Sequence, residues 1–127
     1  MNERTITINQ PPVSLNQQER MHWTRWHREK SQWRHDIFYL VKESGSVIPR
    51  NLPHVWIEIK IYFAKVRARD ESNYEPMVIK PLLDALVNAK IIENDTAEYV
   101  TRPGVVEIGI DKRPRTEITI KWKGKNK

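Results

Sequence analysis

The stretch VRARDESNYEPMVIKPLLDAL at 66–86 sets Asp70 and Glu71 straight after Arg67 and Arg69, then returns Lys80 and Asp84 inside an apolar run. Asp95 comes later, in the polar turn IIENDT at 91–96. Carboxylate oxygens suit a hard cation such as Mg2+ or Mn2+. Such an ion activates water and stabilises negative charge on a phosphoryl group. Lys80 offers what carboxylates lack, a cation beside the attacked phosphate. This chemistry needs the loop at Asp70 and the turn at Asp95 to meet in one corner. The sequence alone does not decide that, and loop acids ordinarily face solvent. Asp84 lies four residues after Lys80, on the same helical face. The plain expectation is an intrahelical ion pair worth about 0.2–0.5 kcal/mol; the functional one has Asp84 facing the metal cluster or holding Lys80. Asn73 is expected to cap the helix that begins beside it.

These residues depend on a small set of elements. RTITI at 4–8 alternates as a strand, and Pro11 and Pro12 end its regularity. From about Arg20 to Glu43, Trp26, Trp33, Ile37 and Leu40 recur with helical spacing, with Trp23 a turn earlier. SGS at 44–46 and Pro49 end that helix. HVWIEIKIYF at 54–63 alternates as the clearest strand. A second helix is expected from Asn73 or Glu75, with Pro76 in its first turn and Val78, Leu82, Ala85, Leu86 and Ala89 buried. Pro81 then falls inside it, costing one intrahelical hydrogen bond. EYVTR at 98–102 reads as extended, and VVEIGI at 105–110 and TEITIKW at 116–122 as a hairpin across DKRPR. The order β-α-β-α-β-β predicts an α+β domain spanning 1–127, with two helices on one face of a single mixed sheet.

The segment RARDESNYEPMVIKPLLDALVNAKIIENDTAEYV at 67–100 resembles the central part of RusA-type Holliday junction resolvases and their phage relatives. That family carries Asp-x-Asp-Asn, then a lysine on a helix, an LLDAL-like run and a turn with a further Asp. Asp70, Asn73, Lys80, LLDALVNAKI and Asp95 match these in order, and ITINQPPVSLN resembles the family's opening strand and Pro-rich turn. The resemblance implies a homodimeric α+β endonuclease that cuts four-way DNA junctions in recombination and repair, dependent on Mg2+ or Mn2+. It implies that Asp70 and Asp95 are metal ligands and that Lys80 contacts the phosphate. It also implies a cytoplasmic setting, in a bacterial cell or a phage-infected host. The family's second acid falls on Ser72, whose hydroxyl can touch a metal but adds no charge; Glu71 and Glu75 are the neighbouring substitutes. The interval from Asn73 to Lys80 is longer than in the shortest members by about one helical turn, which keeps the face and shifts Lys80 by about 6 Å.

The formal charge is +6, and bases are spread along the chain while the acids of interest are local. Arg20, Arg25, Arg28, Lys30 and Arg34 run along the first helix. Lys60, Lys65, Arg67 and Arg69 lead into the acidic loop, Lys112, Arg113 and Arg115 crowd a turn, and lysines end the chain. Such groups neutralise phosphates without reading sequence, with branched double-stranded DNA as the expected partner. Each cluster is equally accounted for by an ordinary solvated surface. Trp26 and Trp33 are expected in the core or a dimer contact, and Trp23 exposed. The histidines suit surface or capping roles better than zinc. No cysteine is present, which removes disulfides and thiolate metal sites and fits a reducing compartment. No apolar run reaches the roughly twenty residues of a membrane span, and no signal-peptide pattern is seen. Beside the nuclease stand two further readings: a cleavage-deficient, structure-selective DNA-binding protein on the same fold, and a homodimeric protein-interaction module.

Overall fold

Nine consecutive residues of alternating character, Val55–Phe63, form the central strand β2 of a five-stranded mixed sheet. The computed structural model describes residues 1–12, 22–66, 69, 74–102 and 107–124. Around β2 stand β1 (Asn2–Ile8), β3 (Val100–Thr101), β4 (Glu107–Ile110) and β5 (Arg115–Trp122). Two helices, α1 (Trp23–Glu43) and α2 (Glu75–Asn88), complete the α+β fold. Val55, Ile57, Ile59 and Ile61 of β2 point into the core with Ile118, Ile120 and Trp122 of β5 and Ile6 and Ile8 of β1. Helix residues Trp33, Ile37, Val41, Val78, Leu82 and Leu86 cover them. Each fully buried aliphatic chain contributes about 1.5–3 kcal/mol relative to leaving it in water.

The expected hairpin between residues 105–110 and 116–122 is not formed. β4 runs parallel to β2, with Lys60 opposite Glu107 and Phe63 opposite Ile110. β5 runs antiparallel along the other side of β2, with Ile59 opposite Ile118, and pairs with β1 beyond it. The connection therefore crosses the end of β2, where the Asp111 N–H donates to the Phe63 carbonyl at 2.9 Å. DKRPR lacks the Asn-Gly or Gly-x pair that closes a tight hairpin. The most apolar strand takes the middle position, where both of its edges are paired.

β2, α2 and β3 form a crossover unit with parallel strands, Val55 opposite Val100. α2 begins beside Phe63, whose ring is 5.3 Å from that of Tyr74, and ends beside residues 51–52, whose N–H groups bond Lys90 and Ile91 carbonyls. It thus runs back along β2 for about 20 Å. α1 runs the same way. Its Trp33 donates to the Met77 carbonyl near the start of α2. Just past its end, Ser44 accepts from Arg4, level with Ile120 and Ile57. Hence α1 starts at the Phe63 end of the sheet. Of residues 23–32 only Trp26 is buried.

Pro81 lies inside α2, as the spacing through Val78 predicts. A proline there has no N–H for the carbonyl four residues earlier, which belongs to Met77. The Trp33 indole N–H takes that place at 2.7 Å, so the orphan acceptor is satisfied by α1. Burial of α2 is also wider than the expected stripe, because Met77, Ile79, Pro81 and Leu83 are buried too.

The helix closes with a reversal. The Ile91 N–H bonds the Leu86 carbonyl and the Lys90 N–H bonds that of Val87, both at 3.0 Å. This is a Schellman motif with Lys90 in the left-handed conformation, φ 62°. A side chain there is strained where glycine is not. Lys90→Gly is expected to stabilise the fold by about 0.5–1 kcal/mol, read as a higher urea midpoint with unchanged slope.

Candidate phosphate-binding end

The loop that carries the first acids leaves β2 at Phe63. The Arg69 guanidinium lies 3.7 Å from the centre of the Phe63 ring, and its Nη1 donates to the Lys65 carbonyl at 3.0 Å. Tyr74 packs on the same ring. Asp70, Glu71 and Ser72 lie outside the described residues, as do Arg20, Arg67 and Asn73. Their described neighbours Arg69 and Tyr74 both touch Phe63. Tyr74 holds the N-cap position without a side-chain cap bond, and Glu75 occupies the first turn. Lys80 is exposed on the solvent stripe of α2.

Asp95 is at the other end of β2. Its turn is built by Asn94, whose Oδ1 accepts from the Thr96 N–H at 3.1 Å and from the Thr96 hydroxyl at 2.7 Å. Tyr99 and Val100 N–H groups bond the Thr96 carbonyl, and the Tyr99 carbonyl accepts from Val55. His54 fastens the segment further, with one ring nitrogen 2.7 Å from the Glu98 carbonyl and the other 2.7 Å from Thr101 Oγ1. The Tyr99 hydroxyl donates to Glu93 at 2.9 Å, and that bond, with smaller contributions from burial and the nearby carboxylates, raises its pKa. Val55 and Phe63 are about 26 Å apart along the strand. The meeting of the two loops in one corner of a single protomer is therefore not what the described flanks give. The reason is topological. A parallel crossover must carry the chain back to where the first strand began, so the segment before β3 arrives at the opposite end from the segment after β2.

Asp84 accepts from Arg34 of α1 at 3.2 Å, so its ion pair joins the two helices and is not the expected one with Lys80. Both groups are partly exposed, and such pairs contribute at most about 1 kcal/mol. Among the described residues no group of three or more His, Asp or Glu side chains is gathered closely enough to hold a metal ion.

Basic clusters that are far apart in sequence gather at the Phe63 end. Arg25 and Arg28 lie on the exposed side of the first half of α1, with Arg25 bonded to Glu29 at 3.1 Å. Lys65 and Arg69 come just after β2, and the turn after β4 brings Lys112, Arg113 and Arg115. That turn is rigidly built. The Arg113 N–H donates to Asp111 Oδ1 at 2.9 Å and is the largest influence holding the Asp111 carboxyl below its ordinary range. Arg115 bonds Glu117 at 2.8 Å and Asp111 at 3.3 Å, and the Glu117 bond chiefly raises its pKa. It also covers the Tyr62 ring at 4.1 Å. Gly109 stands opposite Tyr62 because a Cβ there would meet the ring at 3.0 Å. Arg115 is thus occupied, while Lys112 and Arg113 are exposed. Sequence reasoning found this cluster but not its position, which depends on β4 and β5 flanking β2.

No protein-family model and no curated protein matches the chain. Among the described residues no helix is long and apolar enough to cross a membrane.

Proposed function

We propose that the chain is a metal-dependent endonuclease of branched DNA that works as a homodimer, cutting phosphodiesters at four-way junctions. The observation that carries this reading is the gathering of Arg25, Arg28, Lys65, Arg69, Lys112 and Arg113 at the end from which the Asp70 loop departs. An acidic loop repels DNA unless a basic surround offsets it. The RusA-like order of Asp70, Asn73, Lys80 and Asp95 supplies the reaction type.

A Mg2+ or Mn2+ ion does not fit the described donors of one protomer, since Asp95 and the flanks of Asp70 lie at opposite ends of β2. A two-fold symmetric dimer with the Phe63 end of one copy against the Val55 end of the other resolves this. It brings Asp95 of each copy to the Asp70 loop of its mate, and it makes two equivalent sites. Asp70 and Asp95, with Glu71 or Ser72, would hold the ion there, which supplies water activation and charge stabilisation when bound. Lys80, on the exposed stripe of α2, would contribute positive charge toward the phosphate. Ser72 favours a second reading, a structure-selective DNA-binding protein that does not cut.

A synthetic four-way junction, with and without Mg2+ or Mn2+, separates these readings. Metal-dependent cleavage is expected; tight binding with no cut selects the second reading, and the absence of both binding and cutting ends both. S72D is expected to raise the rate if the missing charge limits catalysis. Binding should weaken steeply with salt. Arg113→Ala should weaken it uniformly across sequences and lower the slope of log Kd against log salt by about one. An unchanged slope would remove the DNA face from this end of the molecule.

A further inference from the structure

We propose that His54 is a positioning residue for Asp95, clamping the turn that carries this carboxylate to the start of β2. This role rests on the nuclease reading above, in which Asp95 belongs to the site. Backbone pairing alone holds the far end of the turn weakly, because β3 is only two residues long. Val55 opposes Val100 and Trp56 opposes Thr101, and the Val55 N–H bonds the Tyr99 carbonyl. The His54 side chain adds two bonds to this short ladder. Its Nδ1 lies 2.7 Å from the Glu98 carbonyl, which can only accept, so that nitrogen carries a proton. Its Nε2 lies 2.7 Å from the Thr101 hydroxyl, and in the neutral ring it accepts from it. One ring thus spans the chain from Glu98 to Thr101.

The clamp is itself held in place. His54 and Trp56 are two residues apart on an extended backbone, so they share a face, and their rings meet edge-on at 4.7 Å and 63°. Trp56 is half-buried. The near end of the turn is fastened as well, by the Asn51 and Leu52 N–H groups on the Lys90 and Ile91 carbonyls. Between the two ends, Asn94 bonds Thr96 and Tyr99 bonds Glu93. Asp95 is exposed within this frame, and its carboxylate has no hydrogen bond or ion pair among the described residues. A backbone tied at both ends that leaves one carboxylate unengaged suits a site, since the group is held in position with its lone pairs available.

The test compares wild type, His54→Ala, His54→Asn and Thr101→Val where urea titration shows each to be fully folded. Hydrogen exchange of the protein without DNA or metal comes first. His54→Ala should speed exchange at the Tyr99 and Val100 amides, which bond the Thr96 carbonyl, by roughly tenfold, with no change at Ile118 in the core of the sheet. On a four-way junction with Mg2+, kcat should fall by roughly ten- to a hundredfold. KM for the junction should stay nearly constant, since no DNA contact is removed. Thr101→Val should give a smaller change in both measurements. His54→Asn, whose amide can still donate to the Glu98 carbonyl, should recover much of the loss. A loosened turn with undiminished kcat would overturn the positioning role and leave the nuclease reading intact. Unchanged exchange at Tyr99 and Val100, or an equal rise at Ile118, would overturn the clamp whatever the activity. Failure of the wild type to cleave, or full activity of D95N, would overturn the reading of Asp95 and the positioning role together.

Discussion

A mixture of D70N and D95N protomers is expected to cleave a four-way junction that neither variant cleaves alone. Each substitution removes the carboxylate charge from both sites of its own homodimer, and should slow cleavage by roughly a hundredfold or more, about 3 kcal/mol of charge stabilisation. In a mixed dimer the losses fall together. One site would combine both asparagines, and the other would combine Asp70 of the D95N copy with Asp95 of the D70N copy. Free exchange makes half the dimers mixed, with one of two sites intact in each, so roughly a quarter of wild-type activity returns. The products should be singly nicked junctions, because the mixed dimer makes no paired cut. Mixing, incubation to exchange subunits, and gel resolution of nicked and resolved products check this. A mixture as inert as its components, with exchange shown by differently tagged copies, would place both acids in one protomer's site or outside catalysis. The arrangement rests on the separation of Arg69 and Tyr74 at the Phe63 end from Asp95 at the Val55 end.

Trp33→Phe is expected to cost about 3 kcal/mol of stability, and much of that cost should vanish when Pro81 is also changed. The indole N–H is the partner of a Met77 carbonyl that Pro81 leaves without its helical donor. Losing it strands a buried acceptor, at about 1–3 kcal/mol, and the smaller ring adds a cavity penalty. In a Pro81→Ala background the new backbone N–H at that position restores the bond within α2. The same Trp33→Phe change should then cost about 1–2 kcal/mol less, a coupling of the size seen between residues that share one partner. Urea unfolding of wild type, the two single variants and the double variant measures it. Strict additivity would show that the indole fills space without satisfying Met77.

How far the sequence foretells this structure differs from element to element. The alternation of Val55, Ile57, Ile59 and Ile61 and the helical recurrence of Trp26, Trp33 and Ile37 record burial directly, because a period of two or 3.6 leaves only one face for the core. The α+β plan and the long second helix through Pro81 arise from that local periodicity. Pro81 carries a further signal, since a proline in a helix marks the carbonyl four residues earlier as an acceptor in need of a donor. It marks Met77 in this way without naming Trp33 as the donor. The hairpin expectation failed because local pattern says that 107–110 and 115–122 are strands and nothing about which edge each one joins.

The helix and strand segments and the inward face of β2 were legible in the chain, since each is written within a few neighbouring residues. The assembled fold alone established that β2 separates β4 from β5, that Asp84 pairs with Arg34, that the basic clusters share the Phe63 end, and that Asp95 arrives at the other. These outcomes join residues tens of positions apart. They are fixed by chain reversal and strand order, and a parallel crossover puts the two ends of its helix at opposite ends of the sheet.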